Sequence, residues 1–312
     1  MYNLYEKQKL NTYQIAKKFN CCQTTIWKKL IKFNIPRRKP YKLNSNVPSK
    51  NQLIEYYLNK KLSTWQIEKS YGFSRGTIHR KLKEFNIKTR DRADSHIINF
   101  RKNFSGDLIE KAYLIGFRIG DLGVRKIYPN SKTISVASGS TIKNQIILIK
   151  NLFKDYGKIN IQKTKKGKFN IQIALNETFN FLLEHNPPRW VFDNKNYFFS
   201  FLAGFSDAEG SIKVYNNLAQ YSLGNYNYTL LTLIRNNLIK YKINCNKIIV
   251  DKRKGKKNNQ GYVYRDNYSS LRLGSKKELP ALLLELSKYM KHLDKIKDLN
   301  IAINNLNKRQ LK

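Results

Sequence analysis

Apolar residues recur along this chain at two different periods, and each change of period marks a change of element. Near the start, Ile67, Ile78, Leu82 and Phe85 form a stripe at helical spacing. Ser63 and Ser74 precede its two short helices as N-caps, and Gly72 stands at the left-handed turn position between them. Residues 10–38 carry the same pattern and align with 62–90, without a gap, at an offset of 52. Leu10, Thr12, Gln14, Ile15, Lys17, Thr25, Ile26, Lys29, Leu30, Phe33, Asn34, Ile35 and Arg38 recur as Leu62, Thr64, Gln66, Ile67, Lys69, Thr77, Ile78, Lys81, Leu82, Phe85, Asn86, Ile87 and Arg90. The module is duplicated.

From about residue 105 both periods alternate. A short apolar helix ending at Asp121 leads into alternating stretches at Val124–Tyr128 and Thr133–Ala137. A helix from Lys143 to Tyr156 follows, then strands at Ile159–Gln162 and Phe169–Ile173 around a Lys-rich turn, then a helix near Glu177–Glu184. After a second apolar helix ending at Glu209 come strands at Ser211–Tyr215 and Gln220–Leu223. A helix at Tyr228–Tyr241, strands around 251–257 and helices near Lys276–Tyr289 and Lys295–Leu306 close the chain. Each passage reads α-β-β-α-β-β-α. The expected organisation is therefore two helical repeats at 1–40 and 50–92, and two α+β half-domains at 105–195 and 196–312. Basic linkers at 36–48 and 89–103 would join them.

The two apolar helices share more than period. Leu114-Ile-Gly-Phe-Arg-Ile-Gly-Asp121 and Leu202-Ala-Gly-Phe-Ser-Asp-Ala-Glu209 lie 88 residues apart, each with two tiny residues four apart and a carboxylate directly after the second. Small residues at that spacing share one helix face and let two backbones come close. If Gly116 and Gly120 pack on Gly204 and Ala208, Asp121 and Glu209 meet at one end of the pair. Two converging carboxylates suit a hard divalent cation.

Composition then names the partner. Lys and Arg number 60 against 21 Asp and Glu, a net charge of +39 spread over both halves of the chain. Such self-repulsion is tolerated where a polyanion neutralises it, so nucleic acid is expected. Cys21, Cys22 and Cys245 form no C-x-x-C pair, which suggests a reducing, cytoplasmic setting without zinc or disulfides. No apolar run is long enough for a membrane span, and none resembles a signal peptide. His79, His96, His185 and His292 have no metal-ligand spacing and read as structural.

Several residues are placed to touch DNA. The helical repeats resemble helix-turn-helix modules, whose second helix enters the major groove at its start. Those positions are Gln23, Thr24, Trp27 and Lys28 in one copy and Arg75, Gly76, His79 and Arg80 in the other. Arg75 is the leading base reader, since its fork bonds guanine bidentately; the bland alternative is a protein-protein module. In the strands, Asn160, Gln162, Asn170 and Gln172 alternate with apolar residues, as do Ser211, Lys213 and Tyr215. Lys166, Lys168, Arg253, Lys254, Arg265 and Arg272 add charge beside them. Ten-residue strands, at roughly 3.3 Å per residue, would follow about ten base steps each.

Tyr113–Asp121 and Phe201–Ile212 resemble the motifs of LAGLIDADG homing endonucleases of the single-chain, two-motif kind, and 105–312 matches that family's half-domain pattern. The second motif is close to the family pattern. The first has Arg118 and Ile119 in place of the usual apolar-acidic pair, and Leu122 where a glycine is expected. The resemblance implies a pseudo-twofold pair of half-domains forming a DNA-binding saddle, acting as a monomer. It also implies Mg²⁺, or Mn²⁺ as a substitute, held by Asp121 and Glu209 with help from the carbonyls of Gly120 and Ala208. The family often adds a lysine near the centre; Lys295 is the first candidate and Lys213 the second, with Arg189 or Lys195 in the first half. Asp207 reads as a helix-surface or interface residue.

The implied activity is a Mg²⁺-dependent double-strand break in a long DNA target. Two alternatives share the fold: an intron maturase that binds folded RNA, and a non-catalytic DNA-binding regulator.

Overall fold

The computed structural model describes residues 1–36, 38, 47–90, 101–259 and 261–310, and the chain divides into two compact units, Met1–Thr89 and Arg90–Lys312. Most of the linker 36–48, residues 91–100 of the second linker, and His96 lie outside the described residues.

The first unit is all helical. In its first repeat a π-helical turn, Asn3–Lys7, precedes α1 (Thr12–Lys18) and α2 (Gln23–Lys32). In its second, α3 (Lys50–Leu53) runs into a π-helical turn, Ile54–Asn59, ahead of α4 (Thr64–Tyr71) and α5 (Arg75–Glu84). The expected caps are in place: Ser63 forms a capping box with Gln66, and the Ser74 side chain accepts the Thr77 N–H. Gly72 takes φ +74°, and Asn20, its counterpart 52 residues earlier, takes φ +46°. Asparagine tolerates the left-handed region better than other side chains, so the turn survives the change.

The repeat is longer than its identities suggest. Tyr5 and Tyr57, also 52 apart, are both buried under the added first turn. One core gathers Tyr5, Ile15, Ala16, Ile26, Leu30 and Ile35, and the other Leu53, Tyr57, Ile67, Phe73, Ile78, Leu82 and Ile87. Arg38 is structural: its guanidinium lies 4.1 Å from the Tyr5 ring centroid and donates to the carbonyls of Lys9 and Leu10.

The second unit is α+β, with two sheets of the same topology. α6 (Leu108–Asp121) leads into β1 (Gly123–Lys126), β2 (Thr133–Ser140), α7 (Lys143–Phe153), β3 (Ile159–Lys163) and β4 (Phe169–Asn176). α8 (Lys195–Glu209) leads into β5 (Gly210–Tyr215), β6 (Leu218–Asn225), α9 (Tyr228–Lys240), β7 (Ile249–Asp251) and β8 (Tyr268–Leu273). α10 (Glu278–Ser287) and α11 (Leu293–Gln310) complete it. The sheets are antiparallel throughout, with strand orders β1-β2-β4-β3 and β5-β6-β8-β7. The paired α+β half-domains expected from the sequence are observed.

Period-2 patterning gives each sheet one inward face. Ile134, Val136, Ile171, Ile173 and Leu175 are buried in the first sheet, and Ile212, Ala219, Tyr221, Leu223, Leu271 and Leu273 in the second. Both sets join a single core with α6, α8 and the helices behind the sheets.

Two expectations need correction. The first half ends not in an α-helix but in two 3₁₀ turns, Glu177–Leu182 and Arg189–Phe192. The strands are also shorter than ten residues: the longest run eight, about 26 Å at 3.3 Å per residue.

Candidate cation site and nucleic-acid face

α6 and α8 cross where side chains vanish. A Cβ added at Gly116 would run into the Phe201 carbonyl oxygen, and one at Gly204 into that of Tyr113. One turn further along, a Cβ at Gly120 would overlap Ala208 Cβ and lie 2.8 Å from Glu209 Cγ. Close approach therefore requires glycine at both crossing points and small residues at the end. The geometry brings Asp121 and Glu209 to the same end of the helix pair, each just before a first strand.

The two acids differ in surroundings. Burial raises the Asp121 carboxyl to about 6, the nearby Glu209 charge pushes it the same way, and Lys295 opposes both. Glu209 faces solvent more openly; burial still raises it, and Lys295 lowers it. Gln145, near the start of α7, donates from Nε2 to Asp121 Oδ2. The sequence carried one signal for Gln145: a polar residue at the helical spacing of Leu148, Ile149 and Leu152, and the structure buries it with them.

Lys295 reaches this centre and Lys213 does not. Lys295 Nζ donates to the carbonyls of Ser206 (2.8 Å), Ala208 (3.3 Å) and Gly210 (2.9 Å). Desolvation lowers its pKa, and Asp207, Asp121 and Glu209 raise it. Lys213 is exposed on β5 opposite Gln220. Lys195 pairs instead with Glu285 at 2.7 Å, and Arg189 is exposed at the start of its 3₁₀ turn.

Asp207 belongs to the interface and is fully buried. Its Oδ2 accepts from Tyr113 Oη (2.6 Å), Lys291 N (2.7 Å) and His292 N (3.1 Å), all donors, as an acceptor-only carboxylate requires. The irregular first motif now has a physical reason. Ile119, 88 residues before Asp207, has no final helix to serve and packs on the core instead. Arg118, 88 before Ser206, turns aside to donate from Nε to the Leu182 carbonyl in the 3₁₀ turn.

The outward sheet faces hold most of the polar residues singled out in the sequence. In the first sheet Asn160 stands opposite Gln172, and Gln162 opposite Asn170, all exposed. Exposed Arg125 on β1 belongs to the same face through its pairing with Ser135; its four-residue strand gave too short an alternation to single it out. In the second sheet Ser211, Ser222 and Arg272 line up across three strands, beside Lys213–Gln220 and Tyr215–Leu218. Lys166 and Lys168 are exposed in the tight turn before β4. Arg253, Lys254 and Arg265 are not strand residues: they lie in the long β7–β8 connection. There Arg253 is bound by Asp251 and sits about 5 Å from the Tyr264 and Tyr268 rings, and Lys254 faces Asp266 at 3.8 Å.

In the first unit Gln23, Thr24, Trp27 and Lys28 of α2, and Arg75, Gly76, His79 and Arg80 of α5, are all exposed. Two are tethered. Gln23 Nε2 donates to Thr12 Oγ1 (2.8 Å), and Arg75 Nε pairs with Glu68 at 2.8 Å.

No family model matches the chain, and no curated protein matches it in sequence. Among solved structures it is similar to the crystal structure of I-DmoI in complex with DNA and Ca, at 15% identity over 62% of this chain and 97% of that one, with a TM-score of 0.42. It is also similar to the homing endonuclease I-WcaI bound to its DNA recognition sequence, at 18% identity over 61% of this chain and 86% of that one, with a TM-score of 0.41. A third similar structure is the N-terminal LAGLIDADG domain of DUF199/WhiA, at 20% identity over 62% and 88%, with a TM-score of 0.37.

Proposed function

We propose that this chain is a sequence-specific DNA endonuclease of the LAGLIDADG type, a monomer whose two half-domains break both strands of one long target. The observation that carries this reading is the meeting of Asp121 and Glu209 at one end of the α6–α8 pair, between two sheets with polar outward faces. The net charge of +39 supplies the attraction to DNA.

The donor set fits Mg²⁺ or Mn²⁺. It offers two carboxylates and backbone carbonyls, and among the described residues no cluster of three His, Cys, Asp or Glu exists that would favour a softer or fully protein-held ion. Mg²⁺ takes one or two carboxylates and completes its shell from water and substrate phosphate. Asp121, Glu209 and the carbonyls of Gly120 and Ala208 would hold the ion, which supplies Lewis-acid activation of phosphate and water.

The chain's own residues do the rest. Gln145 fixes the direction of the Asp121 carboxylate. Asn160, Gln162, Asn170, Gln172 and Arg125 on one sheet, and Ser211, Lys213, Ser222 and Arg272 on the other, present donors and acceptors to base edges and phosphates. α2 and α5 extend the recognised site in the manner of helix-turn-helix modules. Three free cysteines accord with a reducing compartment.

The test is incubation with a randomised duplex DNA library in Mg²⁺ or Mn²⁺, followed by sequencing of the broken ends. Breaks clustered on one long sequence are expected. Enrichment of a bound sequence without any nick in either metal would assign the chain to DNA binding alone.

A further inference from the structure

The end of α8 already binds a cation, and that cation is a side chain. The Lys295 ammonium has three protons, and the carbonyls of Ser206, Ala208 and Gly210 take one each. Carbonyls at a helix C-terminus carry partial negative charge, and Glu209 lies among them in sequence. One of the three, Ala208 O, is also among the carbonyls assigned to the divalent ion. On the Asp121 side a neutral amide, Gln145, donates to the carboxylate, and the charge of Lys295 acts on it as well. The final helix that delivers Lys295 packs on the second sheet, and two 3₁₀ turns stand at the corresponding place in the first half.

We propose that Lys295 is a built-in counter-cation of the Asp121–Glu209 centre, which holds the oxygens at the end of α8 until a divalent cation displaces it. This rests on the reading of Asp121 and Glu209 as a cation site. Lys295 is then a positioning residue, engaged with backbone in the free protein rather than poised at a reacting atom. Its charge acts on both carboxylates, Asp121 and Glu209, so one side chain holds the place of the divalent ion for the whole centre.

The experiment is Mn²⁺ titration of the DNA-free protein, followed by electron paramagnetic resonance of the free ion, for wild type, Asp121→Asn, Glu209→Gln and Lys295→Met. Unfolding curves establish that each variant is folded. Lys295→Met should bind Mn²⁺ about tenfold more tightly than wild type. Asp121→Asn and Glu209→Gln should each bind more weakly than wild type. Unchanged or weaker binding by Lys295→Met, or wild-type binding by both acid variants, would overturn the proposal.

A second readout uses the wild-type protein alone, in case Lys295→Met does not fold. A hydrogen-bonded ammonium exchanges its protons slowly, so Lys295 should give a ¹⁵N–¹H signal that shifts or vanishes on adding Mg²⁺. A signal that Mg²⁺ leaves in place contradicts displacement. DNA cleavage is scored separately. Cleavage without these metal effects removes only the role given to Lys295, and the metal effects without cleavage remove only the nuclease.

Discussion

Asp207 and Lys295 exchange caps across the interface of α8 and α11. Asp207, near the end of α8, accepts the two backbone N–H groups that lead into α11, and Lys295, in the first turn of α11, donates to three carbonyls at the end of α8. Each helix end has orphan backbone groups, and each is served by the other helix. The reciprocal arrangement fixes Glu209, which lies between the carbonyls of Ala208 and Gly210.

Breaking that exchange should cost stability as well as geometry. Asp207→Asn keeps the shape but replaces a carboxylate that accepts three donors. Loss of charge-assisted bonds at a buried site costs about 1–3 kcal/mol. Urea unfolding should show that loss in the unfolding free energy, read as a lower midpoint at unchanged slope. A midpoint equal to wild type would mean that α11 is held by its apolar face alone.

The crossing glycines make a sharper contrast. Gly116→Ala or Gly204→Ala drives a methyl into backbone of the opposite helix, and overpacking against atoms that cannot move should cost about 3 kcal/mol or more. Gly76, in α5, has open space around its missing side chain. Gly76→Ala should therefore stabilise its repeat by up to about 1 kcal/mol, the helix-propensity gain. Thermal unfolding of the three variants checks both directions.

Stability and cation binding should run oppositely with pH. Folding raises the Asp121 carboxyl to about 6, against about 4 for an unfolded aspartate. The folded protein thus holds this proton more tightly, and metal-free stability falls as pH rises from about 4 to about 6. Cation binding needs the ionised carboxylate and strengthens over the same interval. Melting temperatures across this window should show the fall in wild type and lose this component in Asp121→Asn; an unaltered profile in the variant would assign the pH dependence elsewhere.

Much of this was legible in the sequence because periodicity and small-residue spacing are local signals. The offset of 52 placed both helical repeats, and Gly116, Gly120, Gly204 and Ala208 placed the two acids together. What escaped depends on contacts across long separations. The partners of Asp207 lie 84 to 94 residues away, and the carbonyls that take Lys295's protons come from another helix. The end of the first half misled because Phe179 and Leu182 stand at helical spacing, yet the six residues Glu177–Leu182 form a 3₁₀ turn. The added first turn of each repeat was hidden because only Tyr5 and Tyr57 of its buried residues are identical.

The helical repeats should contribute affinity without chemistry. Arg75→Ala, His79→Ala and Arg80→Ala together remove three exposed side chains from α5 and should weaken binding at least tenfold. Every phosphate that α5 then leaves unneutralised should reduce the salt slope of log K by about one. Titration at several salt concentrations checks this. Unchanged affinity and slope would place α5 away from DNA.

The central claim is that Asp121 and Glu209 form one hydrolytic centre on DNA. Its most direct test is cleavage of a target recovered from the duplex library by wild type, Asp121→Asn and Glu209→Gln in Mg²⁺, with binding measured in parallel. Wild type should break both strands, while each variant retains binding within a few-fold and loses double-strand cleavage by at least 100-fold. Wild-type cleavage that persists in both variants would contradict the account.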